Sequence, residues 1–487
     1  MHKKVLFLFF LLLSLITHSQ EEIVTFKNTL KTSSSSVKSI IPIVNQENGG
    51  LALFIADAKN VYAYKFDNKF SLQNKLLSPE KKRKFKVLIG SSITENNSYR
   101  VFMTNKGYNK FSSVRFSFNG NESSFNEFKF KNINEKFIQT VTYKNKFYLI
   151  SAVEISPNED SYIEAVYIYT FNDNGDPKRN KIDLSNLKFL NKSGNSISLP
   201  NLLIPFSNSI KKIEDNVPNS IEVASDSRKM YLRGKTIIFT FDRNKKVTQV
   251  LKINLETLHP TLQSFDKPLS NLKKARKRTN SYLNGNKLFI VASTKETFKL
   301  QINDFEKGIL LKEFGFTDND SISFKNTPII QEGGVYDKYR ELESSVKFLR
   351  KITAGKIGVS SVKINNKYHI TIGGYVEQRS GGMMMPMGGF GGIPIGSFGS
   401  FNVFFNPTMY AFNSMSTTKS TRIECLLDDN FNHVKGKIEN SAFDKINFYK
   451  KEARFKGEET VLKYKDYFIL VDYNTFSKDY TLRKFKD

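Results

Sequence analysis

The three histidines beyond the first twenty residues show no catalytic or metal-binding pattern. His259, His369 and His433 each lack a second ligand at the spacing that metal sites use, and the chain contains no GxSxG nucleophile elbow and no HExxH motif. Each is interpreted as a structural or surface histidine. The sequence therefore predicts no catalytic residue, no metal and no cofactor, although carboxylates that converge from distant strands would escape such a search.

Short clusters of Asp and Asn contain fragments of calcium-loop spacing. None of them has the following glycine and the distal glutamate of an EF-hand loop. Hairpin turns select Asp and Asn for backbone reasons alone, so turns are the favoured interpretation. The clusters are Asn172, Asn174 and Asp176; Asp318 and Asp320; and Asp428, Asn430 and Asn432.

An uncharged segment from Ser380 to Thr418 holds six of the nine methionines. Glycine and proline are so dense in residues 381–396 that they oppose both helix and strand, and we expect a flexible loop there. Exposed apolar loops mark protein or membrane contacts, and methionine adapts to irregular partners. The segment predicts contact with another envelope protein or a membrane surface, with low-complexity drift as the alternative. The expected contact residues are Met383, Met384, Met385, Met387, Phe390, Ile393, Ile395 and Phe398.

The chain is strongly basic, with a formal net charge of +27. Lysines and arginines form three short clusters, at 81–86, 273–278 and 450–456, which are scattered along the chain. A lysine-rich solvated surface is one interpretation, and a site for a polyanion such as an acidic polysaccharide is the other. The expected polyanion contacts are Lys273, Lys274, Arg276, Lys277 and Arg278.

The first twenty residues have the order of a secretory signal peptide. Lys3 and Lys4 precede an apolar run that continues to Ile16, and small residues suit cleavage after Ser19 or Gln20. The apolar run is short for a membrane helix, which needs about 20 apolar residues, so an uncleaved anchor is the less favoured alternative. We therefore expect an exported protein, periplasmic or associated with the outer membrane, or alternatively extracellular. Export argues against a nucleic-acid partner.

Seven polar turns, each followed by a β-rich run, recur along the chain. Their markers are Gly49, Asn97, Asn145, Ser227, Asn286, Asn366 and Asp466, and the first three are 48 residues apart. Asn, Gly and Asp supply the positive φ angles of tight hairpins, and a second turn signal about twenty residues later implies four strands per unit.

Four antiparallel strands in about 45 to 50 residues is the size of a β-propeller blade. The sequence predicts an all-β propeller, with seven four-stranded blades, over residues 21–487, with large insertions at about 178–219 and 380–418. A pair of β-sandwiches is the alternative. We expect the N-terminal segment Ile23–Leu30 to complete the blade that contains Tyr467–Val471.

Two functions remain open at this stage. The first is an exported, non-catalytic binding or scaffold protein of the bacterial cell envelope. The second is a secreted propeller hydrolase or lyase that acts on an acidic polysaccharide. The absence of catalytic motifs favours the first, although a fold alone does not determine a function.

Overall fold

The computed structural model describes residues 20–32, 39–82, 84–129, 135–153, 165–204, 210–272, 276–332, 339–376, 405–417, 420–453 and 457–487. Residues 1–19, with the expected signal peptide, lie outside the described residues. Residues 381–396 of the uncharged segment also lie outside them.

Strands dominate the described chain. In chain order they are β1 (Gln20–Lys27), β2 (Ser39–Val44), β3 (Leu51–Ala56), β4 (Val61–Phe66), β5 (Leu72–Leu77), β6 (Val87–Ile93), β7 (Ser98–Thr104), β8 (Phe111–Ser117), β9 (Glu122–Phe128), β10 (Glu135–Tyr143), β11 (Lys146–Val153), β12 (Ala165–Phe171), β13 (Pro177–Lys181), β14 (Phe189–Leu190), β15 (Ser196–Ile197), β16 (Lys211–Ile213), β17 (Arg228–Arg233), β18 (Thr236–Phe241), β19 (Val247–Asn254), β20 (Pro260–Asp266), β21 (Arg278–Asn284), β22 (Lys287–Ser293), β23 (Thr297–Asp304), β24 (Leu310–Thr317), β25 (Ile329–Glu332), β26 (Arg340–Leu342), β27 (Lys356–Ile364), β28 (Lys367–Tyr375), β29 (Ser420–Leu427), β30 (Glu459–Tyr464), β31 (Tyr467–Tyr473) and β32 (Asp479–Phe485). The helices are α1 (Leu199–Leu203), α2 (Ile221–Ala224), α3 (Ser345–Ala354), α4 (Pro407–Thr417) and α5 (Ala442–Glu452).

The chain divides into two compact units. The first comprises the described part of Met1–Leu77 together with Glu439–Asp487, and the second is Ser78–Ile438. The first unit has one sheet of consecutive strands, β2-β3-β4-β5, and one sheet with the order β1-β32-β31-β30. Strand β1 pairs antiparallel with β32 from Gln20–Phe485 to Lys27–Asp479, so the expected pairing of the two ends of the chain is confirmed.

The second unit contains further sheets of the same type as those of the first unit. Its sheets are β6-β7-β8-β9, β10-β11-β12-β13, β16-β17-β18-β19-β20, β21-β22-β23-β24 and β26-β25-β29-β28-β27, beside the small pair β14-β15. The inner strands of a sheet are almost fully buried, as in β7, whereas the outer strand β9 has only half-buried and exposed residues. Successive sheets of mainly antiparallel strands, most of them consecutive in the chain, are the blades of a β-propeller. Strand β16 is added in parallel, and β25 joins its sheet through β29. The number of blades in the ring stays a prediction.

Six of the seven sequence markers lie in the turn between two consecutive strands that pair in a sheet. Asn97, Asn145 and Asn366 have φ angles of 59°, 60° and 59°, the left-handed conformation that a two-residue hairpin needs. The marker Ser227 is wrong, because Asp226 and Ser227 precede the inner strand β17 instead of following it. The equivalent turn in that sheet is Gly234–Lys235, which the sequence analysis missed.

The two insertions contribute to the core. Leu199, Leu202 and Leu203 of α1 are buried in the cluster that includes residues of β11 and β12, so the apolar stretch of the first insertion packs under the sheets. In the second insertion α4 is a helix that was not predicted; it follows residues 381–396, where a loop is expected and which lie outside the described residues. Pro407 occupies its first position, where the missing N–H removes no helical bond, and Asn406 Oδ1 caps it by accepting from the amide of Met409 at 3.0 Å.

Candidate anion-binding site

Six cations lie at one edge of two neighbouring sheets in the second unit. At this edge β17 and β19 begin, and β18 and β20 end. One group of cations is in the β18–β19 turn and the other in the connection from β20 to β21. We call the set the basic edge: Arg243, Lys245, Lys246, Arg276, Lys277 and Arg278.

The cations of the basic edge lie close enough to influence each other. Burial lowers the pKa of Lys277, and the charge of Lys245 lowers it further. Burial also lowers the pKa of Arg278, with Arg276 adding to the effect. Like charges held together in this way create a positive potential that an anion with several charges would relieve.

Backbone carbonyls fix two of these side chains. Lys277 Nζ donates to the carbonyl of Leu269 at 2.9 Å, and Arg278 Nε donates to the carbonyl of Thr353 at 3.2 Å. Arg243, Lys245, Lys246 and Arg276 are exposed. The basic edge therefore combines anchored and free cations.

A buried polar network lies beneath the basic edge, centred on Asp242 at the end of β18. Lys229 Nζ is 3.0 Å from Asp242 Oδ2, and Lys267 Nζ is 3.9 Å from Asp242 Oδ1, with all three side chains fully buried. Thr248 Oγ1 donates to the same carboxylate at 2.7 Å, and Ser281 Oγ donates at 2.9 Å. Burial acts to raise the pKa of Asp242, but the two lysines outweigh it and the pKa lies below its ordinary value.

The network joins two sheets and carries more positive than negative charge. Lys229 Nζ donates to Asn280 Oδ1 of β21 at 2.7 Å, and Ser281 of the same strand donates to Asp242. Two ammonium groups share the single carboxylate of the network. The buried ammonium groups therefore add to the positive potential that the exposed cations create at this edge.

The structure places the residues expected to contact a polyanion as follows. Arg276, Lys277 and Arg278 lie at the basic edge, while Lys273 and Lys274 are outside the described residues. The turn cations Arg243, Lys245 and Lys246 were not predicted from the sequence, nor were the buried lysines Lys229 and Lys267. The turn cations carried a sequence signal, because they follow the β-rich run at 237–241 and the turn-forming Asp242.

Three lysines of the other two basic runs have acidic partners. Lys82 and Lys84 lie 2.6 Å and 2.8 Å from the carboxylate of Glu127, and Lys450 pairs with Glu459. The expected partner contacts from Met383 to Phe398 lie outside the described residues. The basic edge is therefore the charge cluster on which a site can be built.

The chain itself covers the inner strands of several sheets in the second unit. Residues 210–226 run beside them, and β16 adds to β17 as a parallel strand. The same segment also bonds to β10, β21 and β27. Gln139 Nε2 of β10 donates to the carbonyl of Ile210 (3.0 Å), and Asn219 Nδ2 donates to Tyr282 Oη of β21 (3.1 Å). The amide of Lys363 in β27 donates to Asn216 Oδ1 (2.6 Å).

The carboxylates of this segment are engaged with the protein. Asp215 Oδ1 accepts from the amide of Gly285 at 2.9 Å, and Glu214 accepts from Thr408 of α4. Among the residues that the structure describes, no group of three His, Cys, Asp or Glu side chains is placed to hold a metal ion.

The acidic clusters considered as calcium loops serve turns where they are described. Asp428 Oδ1 accepts from the amides of Asn430 and Asn432 at 2.9 Å and 2.8 Å, and Asn172 Oδ1 accepts from the amide of Asp176 at 2.8 Å. These bonds are the backbone function for which hairpins select Asp and Asn.

No helix in the described part of the chain has the length and apolar character needed to cross a membrane.

Comparison with known proteins identifies relatives by fold only. No family model matches the chain, and no curated protein matches it by sequence. The β-propeller domain of Nup133 from Vanderwaltozyma polyspora has a TM-score of 0.33 at 10% identity, covering 94% of this chain and 98% of that one. An oligogalacturonate lyase in complex with manganese has a TM-score of 0.30 at 7% identity, covering 93% and 98%.

Longer proteins also match. Prolyl oligopeptidase B from Galerina marginata has a TM-score of 0.30 at 8% identity, and the match covers 70% of this chain and only 39% of the oligopeptidase. The chain thus spans well under two thirds of the length of that relative. At these scores and identities the likenesses carry no argument about activity, ligand or partner.

Proposed function

We propose that this protein is an exported, non-catalytic binding protein of the bacterial cell envelope whose ligand is an acidic polysaccharide held at the basic edge. The observation that supports the ligand class most directly is the convergence of six cations from two connections, above a buried network with excess positive charge. A flexible chain with regularly spaced sulfate or carboxylate groups can contact several of these cations together, which a single small anion cannot.

The position of the charges supports a binding role over a catalytic one. Hydrolases and lyases need an acid, a base or a metal beside the reacting bond. At the basic edge the buried carboxylate Asp242 is fully engaged by Lys229, Lys267, Thr248 and Ser281. Asp242 lies beneath the cations and so serves their arrangement, while Asp266, an exposed carboxylate at the end of β20, belongs to no group of three His, Cys, Asp or Glu side chains among the described residues.

Binding to defined polymers tests the ligand class. The chain without residues 1–20 is titrated with dextran sulfate, with polygalacturonate and with uncharged dextran, each at low and at near-physiological salt. We expect binding of both anionic polymers, with an affinity that falls as salt rises, and no binding of dextran. Absence of binding at low salt would refute the proposal, and release of shortened polygalacturonate would contradict its non-catalytic part.

Two matched triple variants separate a site from a general charge effect. R243Q/K245Q/R276Q removes three exposed cations from the basic edge, and K146Q/K235Q/K307Q removes three exposed cations from hairpin turns at the opposite edge of their sheets. We expect the first variant to lose about tenfold or more in affinity and the second to lose far less. Equal losses would mean that the polymer recognises only the net charge.

Fractionation tests the export part of the proposal. The full chain, expressed with its first twenty residues, should appear in the periplasm or outside the cell with a new N-terminus at Gln20 or Glu21. Retention of an intact chain in the cytoplasm would contradict export without bearing on the ligand.

A further inference from the structure

We propose that Lys267 is a positioning residue of the anion-binding site: its buried ammonium holds the β18–β19 turn against the connection to β21, and the site is assembled fully only while that ammonium is charged. This inference rests on the proposed function, because it concerns the same basic edge. Lys267 itself is buried and contacts no solvent, so it acts through the exposed cations that it positions.

The contacts of Lys267 reach both groups of cations. Its Nζ donates to the carbonyls of Asp242 and Asn244 at 2.7 Å and 2.8 Å, which bracket Arg243 in the turn. It also donates to Thr279 Oγ1 at 3.0 Å, at the start of β21 just after Arg278. The amide of Lys267 bonds the carbonyl of Lys246 at 2.8 Å. One residue therefore ties the Arg243–Lys246 turn to the strand that follows Arg276 and Lys277.

All three donors of the ammonium are used, and a neutral amine has only two. Deprotonation therefore removes one of the three donated hydrogen bonds, so that Thr279 Oγ1 must either donate to the neutral amine or lose its bond to it, and it also removes a positive charge from beneath the site. Both changes weaken the hold on a polyanion. The charged and titratable groups that face Lys267 are Asp242 and Lys229 in the network and Lys277 in the connection.

The environment of Lys267 brings this change into an accessible pH range. Burial lowers its pKa to about 8, Asp242 opposes the shift, and Lys229 and Lys277 add to it. Stability and affinity should then respond to pH in opposite directions. A lysine whose pKa is lower in the folded state than in the unfolded chain destabilises the fold while charged, and this penalty decreases as pH rises above about 8.

The pH dependence of binding tests the inference. The affinity for dextran sulfate, whose charge is constant over this range, is measured at constant ionic strength from roughly one pH unit below to one above the pKa of about 8. We expect the affinity of the wild type to fall about three- to tenfold, which is roughly one lost charge contact, without a fall in melting temperature. A structural role alone would move both quantities together.

Two variants assign the pH dependence. K267M should bind more weakly than the wild type at the lower pH and lose most of the pH dependence. The matched control is K212M, because Lys212 also has a pKa lowered to about 8 by burial but lies on β16, outside the Asp242 network. K212M should keep the pH dependence of the wild type. K267M with unchanged affinity and unchanged pH dependence would overturn the inference.

A third variant keeps the test independent of whether K267M folds. Lys277 lowers the pKa of Lys267, so K277M should move the midpoint of the affinity loss to higher pH. An unmoved midpoint would overturn the inference. If the wild type binds dextran sulfate with no pH dependence, the inference fails alone; if the wild type does not bind, the proposed function fails with it.

Discussion

Arg483 and Glu22 form an ion pair between the last strand of the chain and the first, with Nη1 and Oε2 2.9 Å apart. The same guanidinium faces Asp472 of β31, its Nε 3.6 Å from Oδ1. Glu22 is half exposed, whereas the side chain of Asp472 is only 6% exposed. Arg483 therefore compensates one carboxylate in solvent and one in the core of the sheet that joins the two ends of the chain.

The two partners of Arg483 should differ in their effect on stability. Removal of an exposed partner costs about 0–1 kcal/mol, whereas a buried carboxylate without its cation costs about 3–5 kcal/mol. We expect E22Q to change the free energy of unfolding little and R483M to lower it by about 2–4 kcal/mol, measured by denaturant titration. Equal effects of the two substitutions would show that Asp472 does not depend on Arg483.

Asp472 should make the fold less stable as pH rises. Burial raises its pKa to about 6, Arg483 opposes the shift, and Glu459 and Glu22 add to it. A carboxyl group with a higher pKa in the folded state than in the unfolded chain penalises the fold when ionised, so its penalty appears as pH rises from about 4 through 6.

The substitution D472N removes this penalty while keeping the shape of the side chain. We expect D472N to be more stable than the wild type by about 1–3 kcal/mol above neutral pH, and the difference to vanish below about pH 4. Unfolding curves of both proteins across this range provide the measurement. A difference that is independent of pH would exclude ionisation of Asp472 as its cause.

The sequence predicted those features that depend on a few neighbouring residues. The hairpins at Asn97 and Asn145 were predicted correctly because asparagine tolerates a positive φ angle. The same local rule misplaced the turn at Ser227, because Asp226 and Ser227 have turn composition but lead from the segment 210–226 into β17. Local composition identifies a turn but does not say which two strands it joins.

The proposed anion-binding site was predictable only in part for a related reason. The run that ends at Arg278 is visible as a sequence cluster. The approach of Lys267 to Asp242 depends on the register of β18, β19 and β20 and on the neighbouring sheet, across 25 residues of sequence. No spacing rule connects the two residues, so the buried half of the site required the three-dimensional structure.

The glycine in the β12–β13 turn should be required for the packing of a buried arginine. Gly175 has a φ of +85°, and a Cβ there would lie 2.6 Å from Nη1 of Arg100, which donates to Ser113 Oγ at 3.0 Å and through Nη2 to the carbonyl of Asp173 at 2.8 Å. We expect G175A to lower the free energy of unfolding by about 2–4 kcal/mol, from backbone strain and from displacement of Arg100.

Gly194 provides the matched control for Gly175. Its φ is +99°, but a Cβ there would meet nothing within 4 Å. We expect G194A to cost about 1 kcal/mol from backbone strain alone. The double variant R100M/G175A should lose less than the sum of the two single variants, because the clash requires both residues. If the losses of the two single variants add strictly in denaturant titrations, the effect of G175A comes from backbone strain and not from a clash with Arg100.

Asp242 should contribute more to stability than any exposed carboxylate of the same edge. In D242N, Lys229 and Lys267 would remain buried without a counter-charge, and we expect the free energy of unfolding to fall by about 3–5 kcal/mol. D266N removes an exposed carboxylate at the end of β20 and should change it by about 0.5 kcal/mol or less. Because the uncompensated lysines can lose their protons, the deficit of D242N should shrink at alkaline pH. The test is to measure the free energy of unfolding near neutral pH and roughly two pH units higher. If D242N is destabilised equally at the two pH values, or only as much as D266N, the two lysines do not rely on Asp242 for their charge.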